Sequence, residues 1–224
     1  MKVSTSPSHA AIVSGSLFMK IAVRSYGAEK LSVHTQWLTG TRDLHTSEHD
    51  LAIASDASDD ASKQSVNLLF FIAPFDSQPR ELTGDAWQIN CGQPLGVLAF
   101  RDWAEEVARL LTKLLGEQGL VCLDFVDLKL LLKQSKSRQL TCLLCDWADT
   151  AQLPLPIKVA GFSNALAAVF APAARLNVTL FGIAGELLEL EMPANGMLLL
   201  AGRLQTASTP RILVMGFPTI DPRE

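Results

Sequence analysis

The sequence predicts an α/β chain in three parts. An N-terminal sheet unit spans residues 1–101, a connecting helix 102–119, and a C-terminal α+β unit of about four strands 120–224. Three observations carry this. Trp103, Val107, Leu110, Leu111, Leu114 and Leu115 recur at i, i+4, i+7, i+8, i+11 and i+12, one apolar stripe of a helix. Val66 to Ala73 (VNLLFFIA) and Pro94 to Phe100 (PLGVLAF) are unbroken apolar runs, as in strands buried on both faces of a parallel sheet. The chain after the helix is dominated by short apolar runs separated by turn residues.

Taken in order, Phe18 to Val23 reads as a first strand, and Leu31 to Trp37 alternates as a second. Between them Arg24-Ser-Tyr-Gly-Ala-Glu-Lys30 has a single glycine, too few for a loop whose amides close on a phosphate. Residues 39–65 are rich in Ser, Asp and Thr and read as loop with a short helix. Asp102 and Glu105 form an acidic capping box for the connecting helix, which Gly116 or Gly119 would stop. After the short apolar run Leu120–Leu123, Asp124 and Asp127 place two carboxylates on one face of the first turn of a second helix. Leu140–Cys145 then reads as a strand, Phe162–Phe170 as a helix and Leu176–Ile183 as a strand. Glu186–Glu191 reads as strand or short helix, and Met197–Leu204 and Arg211–Phe217 as closing strands.

Composition narrows the function. The net charge is −4 and no Lys/Arg stripe interleaves with aromatics, which argues against nucleic-acid binding. Ala10–Val23 lacks the layout of a signal peptide, and Phe162–Ala184 carries Asn164, Pro172, Arg175 and Asn177, so neither reads as a membrane segment. The expectation is a cytoplasmic protein that neither spans nor binds membranes. Cys91, Cys122, Cys142 and Cys145 all adjoin apolar residues and read as buried thiols; Cys142-Leu-Leu-Cys145 has no second pair at zinc-site spacing. No G-x-S-x-G elbow occurs, and the histidines cluster in residues 9–49, so a Ser-His-Asp triad has no support.

Two constellations could carry chemistry. His45-Thr-Ser-Glu-His49 matches the H-x-x-E-H pattern, with Glu48 as base and Glu105, Glu106 or Glu117 as third zinc ligand. Its polar surroundings fit a solvated turn better. Asp124 and Asp127 fit helix capping whatever the function, or an acidic site that meets a partner.

The stretch Gly119-Leu-Val-Cys-Leu-Asp-Phe-Val-Asp-Leu-Lys129 resembles the segment after the central helix of the tubulin/FtsZ superfamily, where bacterial members carry Asn-x-Asp-Phe-x-Asp. Leu176–Glu186, Met197–Gly202 and Arg211–Phe217 are similar to strands of that family's C-terminal domain, and Val66–Phe100 to two strands of its nucleotide domain. The resemblance implies a divergent, reduced tubulin/FtsZ-like fold. It also implies that Asp124 and Asp127, with Phe125 between them and Cys122 at the asparagine position, form a loop that enters the neighbouring subunit's nucleotide pocket. In the family those carboxylates position the attacking water for GTP hydrolysis. Cys122 departs from the pattern, since a thiol lacks the amide's paired donor and acceptor.

The other face departs further. Where the family has Gly-Gly-Gly-Thr-Gly-Thr-Gly, this chain has Pro74-Phe-Asp-Ser-Gln-Pro-Arg80, with fewer amide donors and a carboxylate that opposes phosphate. The expectation is a non-catalytic protein with no cofactor. It would cap or regulate a cytoskeletal or cell-division filament, its partner being an authentic filament former or a second copy. The alternatives are an enzyme (residual GTPase or zinc hydrolase) and an unrelated α/β binding module. A long helix joining two sheets would suit the resemblance; a single continuous sheet would suit the unrelated module.

Overall fold

The computed structural model describes residues 21–25, 51–55, 68–116, 123, 125–134 and 137–219. Its elements in chain order are β1 (Ile21–Ser25), β2 (Leu51–Ser55), β3 (Leu69–Ala73), β4 (Ala86–Cys91), α1 (Val97–Gly116), α2 (Phe125–Lys133), β5 (Gln139–Asp146), α3 (Leu155–Ala160), β6 (Phe162–Ala171), α4 (Val178–Leu190), β7 (Met197–Leu204) and β8 (Arg211–Pro218). The strands form one sheet in the order β1-β2-β3-β4-β5-β8-β6-β7. β8 is antiparallel to both its neighbours, and every other pairing is parallel.

The mixed α/β class, the long helix between the halves and four strands in the second half match the sequence reading. The halves are joined more closely than separate sheets would be, because β4 pairs directly with β5 through Gln88↔Gln139 to Cys91↔Cys142. One face of this sheet is covered by α1 and α2, whose Val107, Leu110, Leu111, Leu114, Leu128, Leu131 and Leu132 pack with Phe70, Ile89, Leu166, Phe170 and Met215. The other face of the second half is covered by α3 and α4, where Ile157, Leu180, Ala184 and Leu188 meet Leu143, Ala165, Ala167, Val169 and Val214.

Five local expectations are corrected. Pro94–Phe100 opens α1 rather than forming a strand: Phe100 N–H donates to Gly96 O at 2.8 Å, and Phe100 stacks on Trp103 at helical spacing. Asp102 and Glu105 therefore lie inside α1, with Glu105 bonded to Arg101 at 3.5 Å instead of capping the helix. Phe162–Phe170 is β6, not a helix. It runs between β8 and β7 with both faces buried, and its alanines leave room for α4, so tertiary packing overrides alanine's helical preference. Leu176–Ile183 and Glu186–Glu191 lie largely in one helix, α4. Asn177 caps it, Oδ1 accepting from Leu180 N–H at 2.9 Å, and Leu180, Ala184 and Leu188 face inward at a four-residue spacing. Within 39–65, Leu51–Ser55 is a strand rather than loop or helix, because its apolar run pairs with β1 and β3. Leu31–Trp37 lies outside the described residues.

Two arginines of the second half fix α1. Paired residues of adjacent strands share a face, so Asp146, Arg211, Phe170 and Arg203 form one row across β5, β8, β6 and β7. Phe170 belongs to the core beneath α1, which places the row on that face. Arg211 Nη1 donates to Glu106 Oε1, and buried Arg203 donates through Nη2 to Leu114 O at 2.5 Å. Leu114 O is among the last carbonyls of α1, where a cation also meets the negative end of the helix dipole. The two anchors lie ~12 Å apart along α1 at 1.5 Å per residue and ~10 Å apart on the sheet at two strand spacings. This half of α1 therefore crosses the strands. Further contacts reach both edge strands, β1 and β7, so the helix spans the sheet it joins.

Glu106 sits between two guanidiniums. Arg109 holds its carboxyl below the usual carboxylate range, Arg211 adds to this, and partial burial opposes it. A depressed folded pKa contributes stability that is fully present above the unfolded value of ~4.3 and is lost as the pH falls below it and through the lower folded value. Glu106→Gln should lower unfolding free energy by about 1 kcal/mol at pH 7. In urea melts run from pH 7 to pH 3, the gap from wild type should close toward the acid end. Gly216 is also constrained: a Cβ there would lie 2.4 Å from Asn164 O and 3.0 Å from Ala165 Cα, beside the β6–β8 register shift. Gly216→Ala should cost about 2 kcal/mol by the same melts at pH 7.

Candidate functional site

The sequence-predicted acidic site falls at the start of α2. Phe125 is its first residue and Asp127 lies in its first turn, half-buried and favoured there by the helix dipole. Cys122 and Asp124 lie outside the described residues, so the structure places two of the four together on one turn. Leu128, Leu131 and Leu132 bury the inner face of α2, while Val126 and Leu130 remain exposed beside Asp127. Lys129 Nζ bonds Asp85 Oδ2 at 2.9 Å. Asp85 immediately precedes β4, and Arg138, just before β5, donates to Gly84 O and Ala86 O while lying over Trp87. The early turns of α2 are thereby held at the amino ends of β4 and β5.

The carboxyl end of β3 is built differently. In parallel sheets an anion site usually forms where a glycine-rich turn passes from a strand into a helix N-terminus. After β3 the crossover to β4, residues 74–85, contains no helix. It turns at Phe75-Asp76, with Ser77 N–H reaching Pro74 O at 3.4 Å and Asp76 at φ 56°. The chain then returns across the sheet face opposite α1. Gln88, fully buried on β4, pins it there: Oε1 accepts from Arg80 N–H at 2.9 Å, and Nε2 donates to Gln78 O at 3.2 Å and to Asn90 Oδ1 at 2.7 Å. Arg80 also lies over the Phe71 ring at 4.9 Å.

Between this crossover and β4/β5 lies a cleft of about 400 Å³, lined by Phe75, Asp76, Ser77, Gln78, Asn90, Cys91, Gly92, Gln139 and Thr141. Gln88↔Gln139 and Asn90↔Thr141 are register pairs, so a polar row crosses two strands on the face away from α1. The lining holds a carboxylate and no Lys, Arg or His. A nucleoside triphosphate needs converging amides and cations; the described residues of this cleft do not fit one. Asn90, Cys91 and Gly92 of the lining lie at the carboxyl end of β4, whereas Asp85 and its Lys129 contact lie at the amino end; Gln139, the first residue of β5, forms the side of the cleft nearest α2.

Cys91 and Cys142 are cross-strand neighbours in the core, and burial raises both thiols. Cys145, half-buried, is raised by burial and then by Asp146. Cys142 and Cys145 point to opposite faces of β5, so the CxxC spacing cannot converge on one ion. Among the described residues no group of three His, Cys, Asp or Glu could hold a metal ion. His45, Glu48 and His49 lie outside them. No described helix is long and apolar enough to cross a membrane.

No family model matches the chain, and no curated protein matches it. Solved structures do. FtsZ from M. jannaschii is 12% identical with a TM-score of 0.47, over 74% of this chain and 53% of that one. CetZ from Methanosaeta thermophila is 14% identical with a TM-score of 0.49, over 79% and 63%. TubZ from Bacillus thuringiensis serovar israelensis is 9% identical with a TM-score of 0.43, over 75% and 61%. The likeness is one of fold, to tubulin/FtsZ-like proteins. The matched region spans between about half and two-thirds of the length of these structures.

Sequence reasoning passed over Gln88 and its polar row. The signal was there: in Ala86-Trp-Gln-Ile-Asn-Cys91 polar residues recur at spacing two, as do Gln139 and Thr141, marking one polar face on otherwise buried strands. Gln88→Leu should cost about 2–3 kcal/mol, because Arg80 N–H, Gln78 O and Asn90 Oδ1 lose their partner. Limited trypsin digestion checks the mechanism: cleavage after Arg80 should accelerate before any other site.

Proposed function

We propose that this chain is a cytoplasmic, non-catalytic interaction protein that caps or regulates an FtsZ/tubulin-like filament through Cys122, Asp124, Phe125 and Asp127. The observation that carries the reading is the crossover from β3 to β4. It supplies no glycine-rich loop and no helix N-terminus, and it sets Asp76 where phosphates would need positive partners. The acidic α2 end lies beside the amino end of β4, whereas the turn with Asp76 follows the carboxyl end of β3. A filament grows by heterologous head-to-tail contacts, and a unit able to make one such contact ends growth at the position it occupies. Exposed Val126 and Leu130 flank Asp127 and give that end apolar area as well as charge.

The continuous eight-stranded sheet favours a second reading, an α/β binding module unrelated to filaments in which Asp127 serves the α2 N-terminus alone. Co-sedimentation with an authentic FtsZ separates the two. On the capping reading, equimolar protein lowers polymer mass by about half or more, and Asp124→Ala/Asp127→Ala restores it. Unchanged polymer mass and turnover, or an unaltered effect of the double variant, would falsify capping through this loop.

A further inference from the structure

We infer that the cleft between the 74–79 crossover and strands β4 and β5 is a binding site for a neutral, hydroxyl-rich small molecule of sugar size. The inference rests on how its hydrogen-bonding groups are set. Arg80 N–H can only donate, so the Gln88 atom it meets must be Oε1, and the other Gln88 terminal atom must be the amino group. That amino group donates to Gln78 O and Asn90 Oδ1, which uses both of its hydrogens. Asn90 is thereby turned so that its own amino group, with two donors, is left for the cleft it lines. The orientation is not free to reverse, because an inverted Asn90 would set amino group against amino group.

The rest of the lining mixes donors and acceptors without a cation. Thr141 stands beside Asn90 in register, and Gln139 beside Gln88. The opposite wall brings Asp76, Ser77 and Gln78, with the partly exposed Phe75 ring at the rim. A ligand here needs groups that both donate and accept, as hydroxyls do, and an apolar face to lie on an aromatic ring. A phosphate would meet Asp76 with no positive group among the lining residues.

Asp76 supplies the sharpest reason to expect a ligand. It occupies the third position of the Pro74–Ser77 turn at φ 56°, a left-handed conformation that glycine adopts most freely and Asp tolerates. Among the described residues its carboxylate has no hydrogen bond or ion pair that would account for its presence. A carboxylate that lines a polar cleft without a protein partner to account for it fits a binding role.

Saturation-transfer NMR on the full chain would use glucose, galactose, mannose and N-acetylglucosamine as neutral probes, with glucose 6-phosphate and inorganic phosphate as charged comparisons. At least one neutral sugar should bind saturably and displace or outbind its phosphate. Asn90→Asp and Thr141→Val should each weaken it about tenfold. Asp76→Gly should weaken it similarly while raising the melting temperature, so misfolding cannot explain the loss. Absence of saturable binding by all four sugars, stronger binding of either phosphate probe, or undiminished affinity in Asp76→Gly would each overturn the inference. None of these outcomes depends on whether the protein caps filaments.

Discussion

The contact on which the architecture depends is the donation of Arg203, buried in β7, to the Leu114 carbonyl near the end of α1. A guanidinium without solvent is costly unless it is matched by acceptors. A helix C-terminus leaves carbonyls unpaired and carries partial negative charge. The bond meets part of each group's deficit. With Arg211 holding Glu106 eight residues earlier, α1 is fixed at two points across the strands of the second half. The apolar stripe of α1 would bury against many surfaces; the arginines choose its angle and position. The core under it then joins Phe70 and Ile89 of the first half to Phe170 and Met215 of the second.

With α1 and α2 on one face, the opposite face of β3 and β4 carries, among the described residues, the 74–85 crossover, which contains no helix. That has a chemical consequence. A helix entering there would present free N–H groups and a positive dipole end toward the carboxyl edge of the sheet. The extended crossover spends its Ser77 and Arg80 amides on a turn and on Gln88, and adds prolines that have none. The edge where a phosphate would lie is therefore neutral to acidic. The charged contacts Lys129–Asp85 and Arg138–Gly84 gather at the other edge, beside Asp127. The two ends of the strands thus differ in kind: one offers a recessed polar cleft, the other an acidic helix start with exposed apolar neighbours.

How much of this could be read from residues alone depends on how far apart the deciding groups are. The connecting helix was legible because its stripe repeats every three to four residues and needs no knowledge of the partner surface. Strands β3, β7 and β8 were legible for a similar reason, being apolar runs bounded by turn signals. Asn177 was legible in principle as a cap. It was outweighed by the apolar residues after it, which suit a strand and a buried helix equally. The alanines of β6 misled in the opposite direction. Their helical preference is worth a few tenths of a kcal/mol each, and burial between β8 and β7, under α4, exceeds it.

Legible in the residues alone were the α/β class, the presence of a long helix between the halves, the carboxylate of Asp127 in the first turn of α2 and the lack of a glycine-rich loop after β3. Each of these follows from residue type and short spacing. Tertiary structure alone decided that the two halves share one sheet, since β4 meets β5 only after α1 and α2 have crossed the face between them. It also decided which arginines hold α1 and which way Asn90 points, because those bonds join residues far apart in the chain. The connecting helix accordingly does more than link two units: it lies across the sheet they jointly form, held by side chains that follow it by about a hundred residues.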